Sequence, residues 1–271
     1  MGGAYSNPDV DAAVKRMRDE LQKALKRIRA DLLSQLAELD KDGALLVRDA
    51  YNVRSMRQIL DTLQITAREA GWEDVIRAQV EELKGLVQAV EEESVALDLP
   101  PALNSLAKED VEMLMGASRD FLLGAEGKLA GDLEGILARS LTGRLNWGDL
   151  EKSIGRLLGL TGDQVGARVD ATIASFHTQV RTTHFGGEDE DGNPLVTWWL
   201  YDGPADERNR DFCSHFVGTR VTLDLLDEYA EEFDRDFPAP PSVSLGGYNC
   251  RHELIPLVDP ETIENYPEGP L

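Results

Sequence analysis

Apolar residues recur every three or four positions near the start of the chain: Val10, Val14, Met17, Leu21, Ala24, Leu25, Ile28, Leu32, Leu36 and Leu39. A period close to 3.6 places them on one stripe of a helix. Asn7 suits the N-cap, Pro8 suits the first helical position, and Gly43 marks the stop. Two uses fit such a stripe. It can form a coiled coil or dock a partner, or it can face the core of an ordinary helical bundle.

The same pattern predicts a second helical region from Leu45 to about Ala70, ending near Gly71, and a third from Glu73 to about Leu97. A fourth covers Lys108 to Leu141, with several glycines that weaken it or allow close packing. "NWGDLEKSIGRLLGL" predicts a short helix capped by Asn146. "TGDQVGARVDATIASFHTQVRTTHFG" predicts another, with Thr161 as cap and Gly186 as stop.

Past Gly186 the texture changes. "EDEDGNP" is an acidic turn-rich loop, and "LVTWWLYDG" is β-branched and aromatic, as a strand requires. Pro238, Pro240 and Pro241 sit close together, "SLGGYN" follows, and "HELIPLV" supplies another short strand. The expected fold is mostly α, a long N-terminal helical region followed by a small α+β C-terminal domain with short strands. In chain order this divides residues 1–145, a helical region for bundling or partner docking, from residues 146–271. The second part holds a helical pair to about residue 186 and then a Cys/His module.

Charge refines the picture. The 271 residues carry a net charge of -22, with 42% hydrophobic and 29% charged residues. Up to about Ala30 there are seven basic and four acidic residues; from Thr182 onward there are 20 acidic and five basic, and no lysine follows Lys152. An acidic tail repels phosphates, so direct DNA binding by the C-terminal domain is not expected. No apolar run approaches the ~20 residues of a membrane span, and no secretory signal is expected at the N-terminus.

Chemistry concentrates in "RNRDFCSHFVG" and "GGYNCRHELIP". These hold both cysteines, Cys213 and Cys250, each followed two residues later by a histidine, His215 and His252. Residues i and i+2 of a strand share a face, so Cys213, His215, Cys250 and His252 could converge on one zinc ion. A disulfide between Cys213 and Cys250 is a second reading; closing that loop contributes about 3 to 4 kcal/mol in the chain-entropy model. Two buried thiols packed as small hydrophobes are a third. A cysteine nucleophile with His215 or His252 as base is a fourth, and a metal nuclease using Asp206, His215 and His252 a fifth. Arg208 and Arg210, beside Asp202, Asp206, Glu207 and Asp211, and Arg251 offer an interaction surface or the internal ion pairs and carbonyl contacts of an irregular domain. Gly246 and Gly247 are expected at positive φ, and Asn249 bonded to local backbone. His177 and His184 are read as structural, one exposed and one partly packed.

These residues also carry a resemblance. "DERNRDFC", a spacer with an acidic helix, and "GGYNCRHELIPL" resemble the C-terminal signature of phage head morphogenesis proteins, the minor head proteins of the phage Mu F-like family. Asp206, Arg208, Arg210, Cys213, Gly246, Gly247, Asn249, Cys250, Arg251, His252 and Pro256 occupy the places of that pattern. The resemblance covers roughly Asn146 to Val258. His215 has no place in it, and "SFHTQV" departs from the segment that precedes the strand. The resemblance implies a non-enzymatic virion protein at the portal vertex or capsid interior. It would be assembled in the host cytoplasm, present in multiple copies, and act in head assembly, DNA packaging or ejection through the portal or major capsid protein. The expected cofactor is none, with zinc left open by the Cys/His pattern. The alternative is a particle-borne metal-dependent hydrolase or Cys-dependent enzyme.

Overall fold

A computed structural model describes residues 7–43, 45–47, 49–99, 105–141, 146–188, 194–233, 240–247 and 250–269. Helix α1 spans Pro8–Ala37. The Asn7 side chain accepts from the Asp9 amide at 2.9 Å and the Val10 amide at 3.2 Å, so the cap is where the sequence puts it. Every residue of the apolar stripe from Val10 to Leu39 is buried within the chain. The stripe therefore serves as core, and is not available as a bare docking face.

The second helix starts later than its periodicity predicts. Lys41–Asp42 (β1) and Leu45–Leu46 (β2) form a small antiparallel hairpin about Gly43, and α2 spans Ala50–Ala67. Two side chains decide this. Asp49 caps the helix by accepting from the Asn52 amide at 2.8 Å. The buried Asn52 side chain then donates to the carbonyls of Asp40 and Val47 and accepts from the Asp40 amide, which ties down both ends of the hairpin. A π-turn over Arg68–Trp72 leads to α3, Glu73–Ala96. Gly71 lies within the turn at φ +116°, a conformation open to glycine and costly for other residues.

Helix α4 spans Ser105–Leu141, its glycines notwithstanding, and α5 spans Trp147–Phe185. The sequence predicts two helices where α5 is one. Asn146 caps it by accepting from the Asp149 amide at 2.9 Å, and the helix ends before Gly186, both as expected. Thr161, expected as a second cap, lies inside it. The reason is the stripe Leu150, Ile154, Leu158, Val165, Val169, Ile173, Phe176 and Val180, all buried, which keeps its phase through Thr161 and Gly162. Burial along one face outweighs two local stop signals.

The C-terminal part is α+β. Strand β3 (Trp198–Asp202) is central in an antiparallel sheet of order β4-β3-β5, with β4 at Arg220–Val221 and β5 at Glu253–Leu257. Leu200 faces Ile255, which sets the β3–β5 register. Pro256, which cannot donate to a ladder, sits in the edge strand β5. Short helices fill the connections: α6 (Asp211–Phe216), α7 (Leu223–Tyr229), α8 (Pro241–Ser244) and α9 (Pro260–Glu264). Thr222 and Asp259 cap α7 and α9.

The chain forms two compact units, each assembled from separated segments. One comprises Met1–Lys15, Glu81–Gly116 and Arg168–Leu271; the other comprises Arg16–Val80 and Ala117–Ala167. This is a different partition from the linear one at residue 145. Among its described residues, the second unit is helical apart from the hairpin and short connections, around buried Met17, Ile28, Leu32, Met56, Leu63, Leu122 and Ile154. There the buried Trp72 indole donates to the Leu122 carbonyl at 3.0 Å. Among the described residues, no helix is long and apolar enough to cross a membrane.

Candidate functional site

The first unit contains the two cysteine stretches, and the fold brings them together. β3 supplies Tyr201, α6 supplies Cys213, the turn after α8 supplies Gly246, and the irregular segment leading into β5 supplies Cys250 and His252. The two sulfurs lie 3.7 Å apart, and Cys250 Sγ lies 3.5 Å from His252 Nδ1. The Tyr201 hydroxyl donates to Cys213 Sγ at 3.4 Å. Both cysteines are free thiols, 2% and 8% exposed. Rings close the site from one side: Tyr201 stands 5.3 Å from His252, 6.2 Å from Phe212 and 6.0 Å from Phe216, centroid to centroid.

The expected four-residue metal set is corrected at His215. Cys213 and His215 lie on helix α6, not on a strand, and two helical residues turn about 200° around the axis. His215 is exposed and packs on Tyr229 and Phe233. Cys250 and His252, in the irregular segment before β5, do turn toward each other, sulfur to Nδ1 at 3.5 Å. The donors that converge, within 4.8 Å of one another, are Cys213, Cys250 and His252.

Two glycines leave the space this requires. A Cβ at Gly246 would lie 2.1 Å from Cys213 Sγ and 3.2 Å from Cys250 Sγ. A Cβ at Gly203 would lie 2.5 Å from the His252 ring. Gly247 and Gly203 adopt positive φ, +82° and +150°, but Gly246 does not. Gly246 is needed for close approach, where the sequence suggested turn geometry. Its amide donates to Cys250 Sγ at 3.3 Å.

Arginines lock the surrounding loops. Arg251 makes a two-pronged contact with Asp206 at 2.8 and 2.5 Å and reaches Asn209 Oδ1 at 3.2 Å. Those bonds hold the Asp206 carboxyl well below the usual carboxylate range. Arg210 donates to the Gly246 carbonyl at 2.8 Å, which fastens α6 to the turn beside the sulfurs. Arg208 is more peripheral: it is exposed, with its guanidinium 3.5 Å from Asp206. Asn249 lies outside the described residues.

The two thiols are electrically unequal. The contact with Cys250 raises the Cys213 pKa, and burial raises it further. The same contact lowers that of Cys250, against the cost of burial, and His252 lowers it again. Burial pushes the Tyr201 phenol up. Such a group can hold a soft cation, close to a disulfide on oxidation, or present a thiolate. Attack on a substrate would require an approach to sulfurs that are almost fully covered.

A second buried cluster was not anticipated. Arg181 on α5, 5% exposed, donates to both oxygens of Glu93, to Glu253 at 2.8 Å and to the Leu254 carbonyl at 2.9 Å. Asn7 donates to the same Glu253 at 3.3 Å. One signal was present in the sequence: His177 and Arg181, four residues apart, are polar positions beside the stripe Ile173, Phe176 and Val180. His177 and His184 are both buried, against the expectation of one exposed. Burial, aided by Arg181, lowers the His177 pKa to about 3; burial also lowers that of His184, offset in part by Glu91 and Glu93. Compared with protein-family models, with curated proteins and with solved structures, the chain matches none.

Proposed function

We propose that the chain is a minor head protein of a bacteriophage, non-enzymatic, acting by contacts with the portal or major capsid protein of the same phage during head assembly, DNA packaging or ejection. Assembly takes place in the host cytoplasm, and multiple copies enter the head near the portal vertex or capsid interior. What carries the reading is the meeting of the residues that bear the resemblance. Asp206 with Arg251, Arg210 with Gly246, and Cys213 with Cys250 close on one another across sequence separations of 45, 36 and 37. Each of these contacts has an evident use in holding an irregular loop domain together. The acidic C-terminal domain suits a protein that works beside packaged DNA without adhering to it.

Co-expression with the portal and major capsid proteins tests the reading. The full chain should co-purify with one of them and be found in assembling or mature heads. Failure to bind either protein, together with absence from both kinds of head, would end it. The 3.5 Å approach of Cys250 to His252 favours one rival, a Cys-dependent enzyme carried by the particle. A Cys250→Ser chain that keeps full stability and particle incorporation but loses a hydrolytic activity of the wild type would select that rival.

A further inference from the structure

We propose that Cys213, Cys250 and His252 hold one zinc-class cation, divalent, thiophilic and four-coordinate, with the Tyr201 hydroxyl at the fourth corner. The site stands whether or not the chain is a head protein.

The distances fit. Bond lengths of about 2.3 Å to sulfur and 2.0 to 2.1 Å to nitrogen, set at tetrahedral angles, place two sulfurs about 3.8 Å apart and a sulfur and nitrogen about 3.6 Å apart. Cys213 Sγ and Cys250 Sγ are 3.7 Å apart and Cys250 Sγ and His252 Nδ1 are 3.5 Å apart, with all three donors within 4.8 Å of one another. An oxygen at about 2.0 Å from the ion would lie about 3.5 Å from a sulfur. Tyr201 Oη lies 3.4 Å from Cys213 Sγ.

The histidine is also oriented for the task. His252 Nε2 lies 3.1 Å from the Pro204 carbonyl, which can only accept. Nε2 therefore carries a proton, and in the neutral ring Nδ1 is the nitrogen left to turn a lone pair toward the sulfurs. Fixing a ligand histidine by a carbonyl on its far nitrogen is the usual arrangement at metal centres. The Gly246 amide, aimed at Cys250 Sγ, stabilises a thiolate there, and the glycine at that position keeps side-chain bulk away from both sulfurs.

Charge balances on loading. Two thiol protons leave to solvent and two sulfur–metal bonds form. His252 and Tyr201 stay neutral, so a divalent ion with two thiolates leaves the buried site without net charge. Unpaired thiolates in the same place would carry a heavy desolvation cost. A metal closing a loop of this kind also adds binding free energy to folding in a domain with a small core.

The full-length chain, purified under reducing conditions without chelator, should contain about one zinc per chain by elemental analysis. Cys250→Ser and His252→Ala should each lower retention at least tenfold, and His215→Ala should leave it unchanged. Loss of metal from His215→Ala with retention by His252→Ala would overturn the assignment. In case the ligand variants fail to fold, cobalt(II) exchanged into the wild-type chain gives a reading of its own. Thiolate-to-cobalt charge transfer and intense visible bands of a four-coordinate ion are expected. Tyr201→Phe, which keeps the ring and removes the fourth donor, should shift those visible bands and weaken zinc binding at least about tenfold, no less than loss of a group that only supports a ligand. Unshifted bands would remove Tyr201 from the fourth corner. A reduced, folded wild-type chain that neither contains nor retains zinc, or one isolated with a Cys213–Cys250 disulfide, would refute the site.

Discussion

His177 provides a quantitative test of how the first unit is packed. The side chain is 3% exposed, and its pKa falls to about 3 from an ordinary value of 6.5. Burial is the main cause, and the Arg181 cation the second. The folded protein thus keeps His177 neutral in a range where the unfolded chain takes up a proton. Stability from this residue is complete above pH 6.5, begins to fall as the unfolded chain protonates, and continues to fall until about pH 3. Each pH unit in that window is worth about 1.4 kcal/mol, so acidification from pH 7.5 to 4.5 costs about 3 kcal/mol. Carboxylates and metal ligands titrate over the same interval, so the measurement is a difference. Urea unfolding of the wild type and of His177→Gln at both pH values should show the wild type losing about 3 kcal/mol more than the variant. The His177 ring protons, followed by NMR, should show no titration above about pH 4. Equal losses in the two proteins, or a His177 ring titrating near 6.5, would refute the reasoning.

Two further predictions concern stability. Arg181→Met leaves Glu253 and Glu93 facing a buried apolar side chain; a loss of about 3 kcal/mol in urea unfolding is expected, as for a broken buried pair. A loss below about 1 kcal/mol would place that network in water. Asn146→Ala, at the cap of α5, should cost about 1 kcal/mol, while Thr161→Ala, inside the same helix, should change stability by less than about 0.5 kcal/mol. The reverse order would restore two separate helices.

Much of the fold could be read from the chain because apolar periodicity is local information. The α1 stripe, the Asn7 and Asn146 caps, the break at Gly71 and the two longer strands are all visible within windows of ten or twenty residues. The errors arise where a local signal competes with burial elsewhere. Thr161 and Gly162 resemble a helix boundary, but an unbroken apolar stripe overrides them. The hairpin before α2 depends on a single buried asparagine, Asn52, whose partners lie up to 12 residues away. At the site, the apparent symmetry of two Cys-x-His pairs misled, because spacing has the same meaning only on the same element. Cys250 and His252 lie on the irregular chain before β5, whereas Cys213 and His215 lie on a helix. Tyr201, Gly203 and the Arg181 cluster gave little notice, since each matters only through residues far away in sequence.

The discontinuous first unit has a consequence for biosynthesis. Val10, Ala13 and Val14 are buried, and Asn7 bonds a residue 246 positions away. Their unit includes a segment that begins only at Arg168. At about 5 to 20 residues per second, a ribosome takes roughly 10 to 30 s to make the intervening chain. During that time the first turns of α1 lack the largest of the segments that complete their unit. A holding chaperone is thus expected to bind the nascent chain, and slowing translation late in the message should raise aggregation without any change in the finished protein.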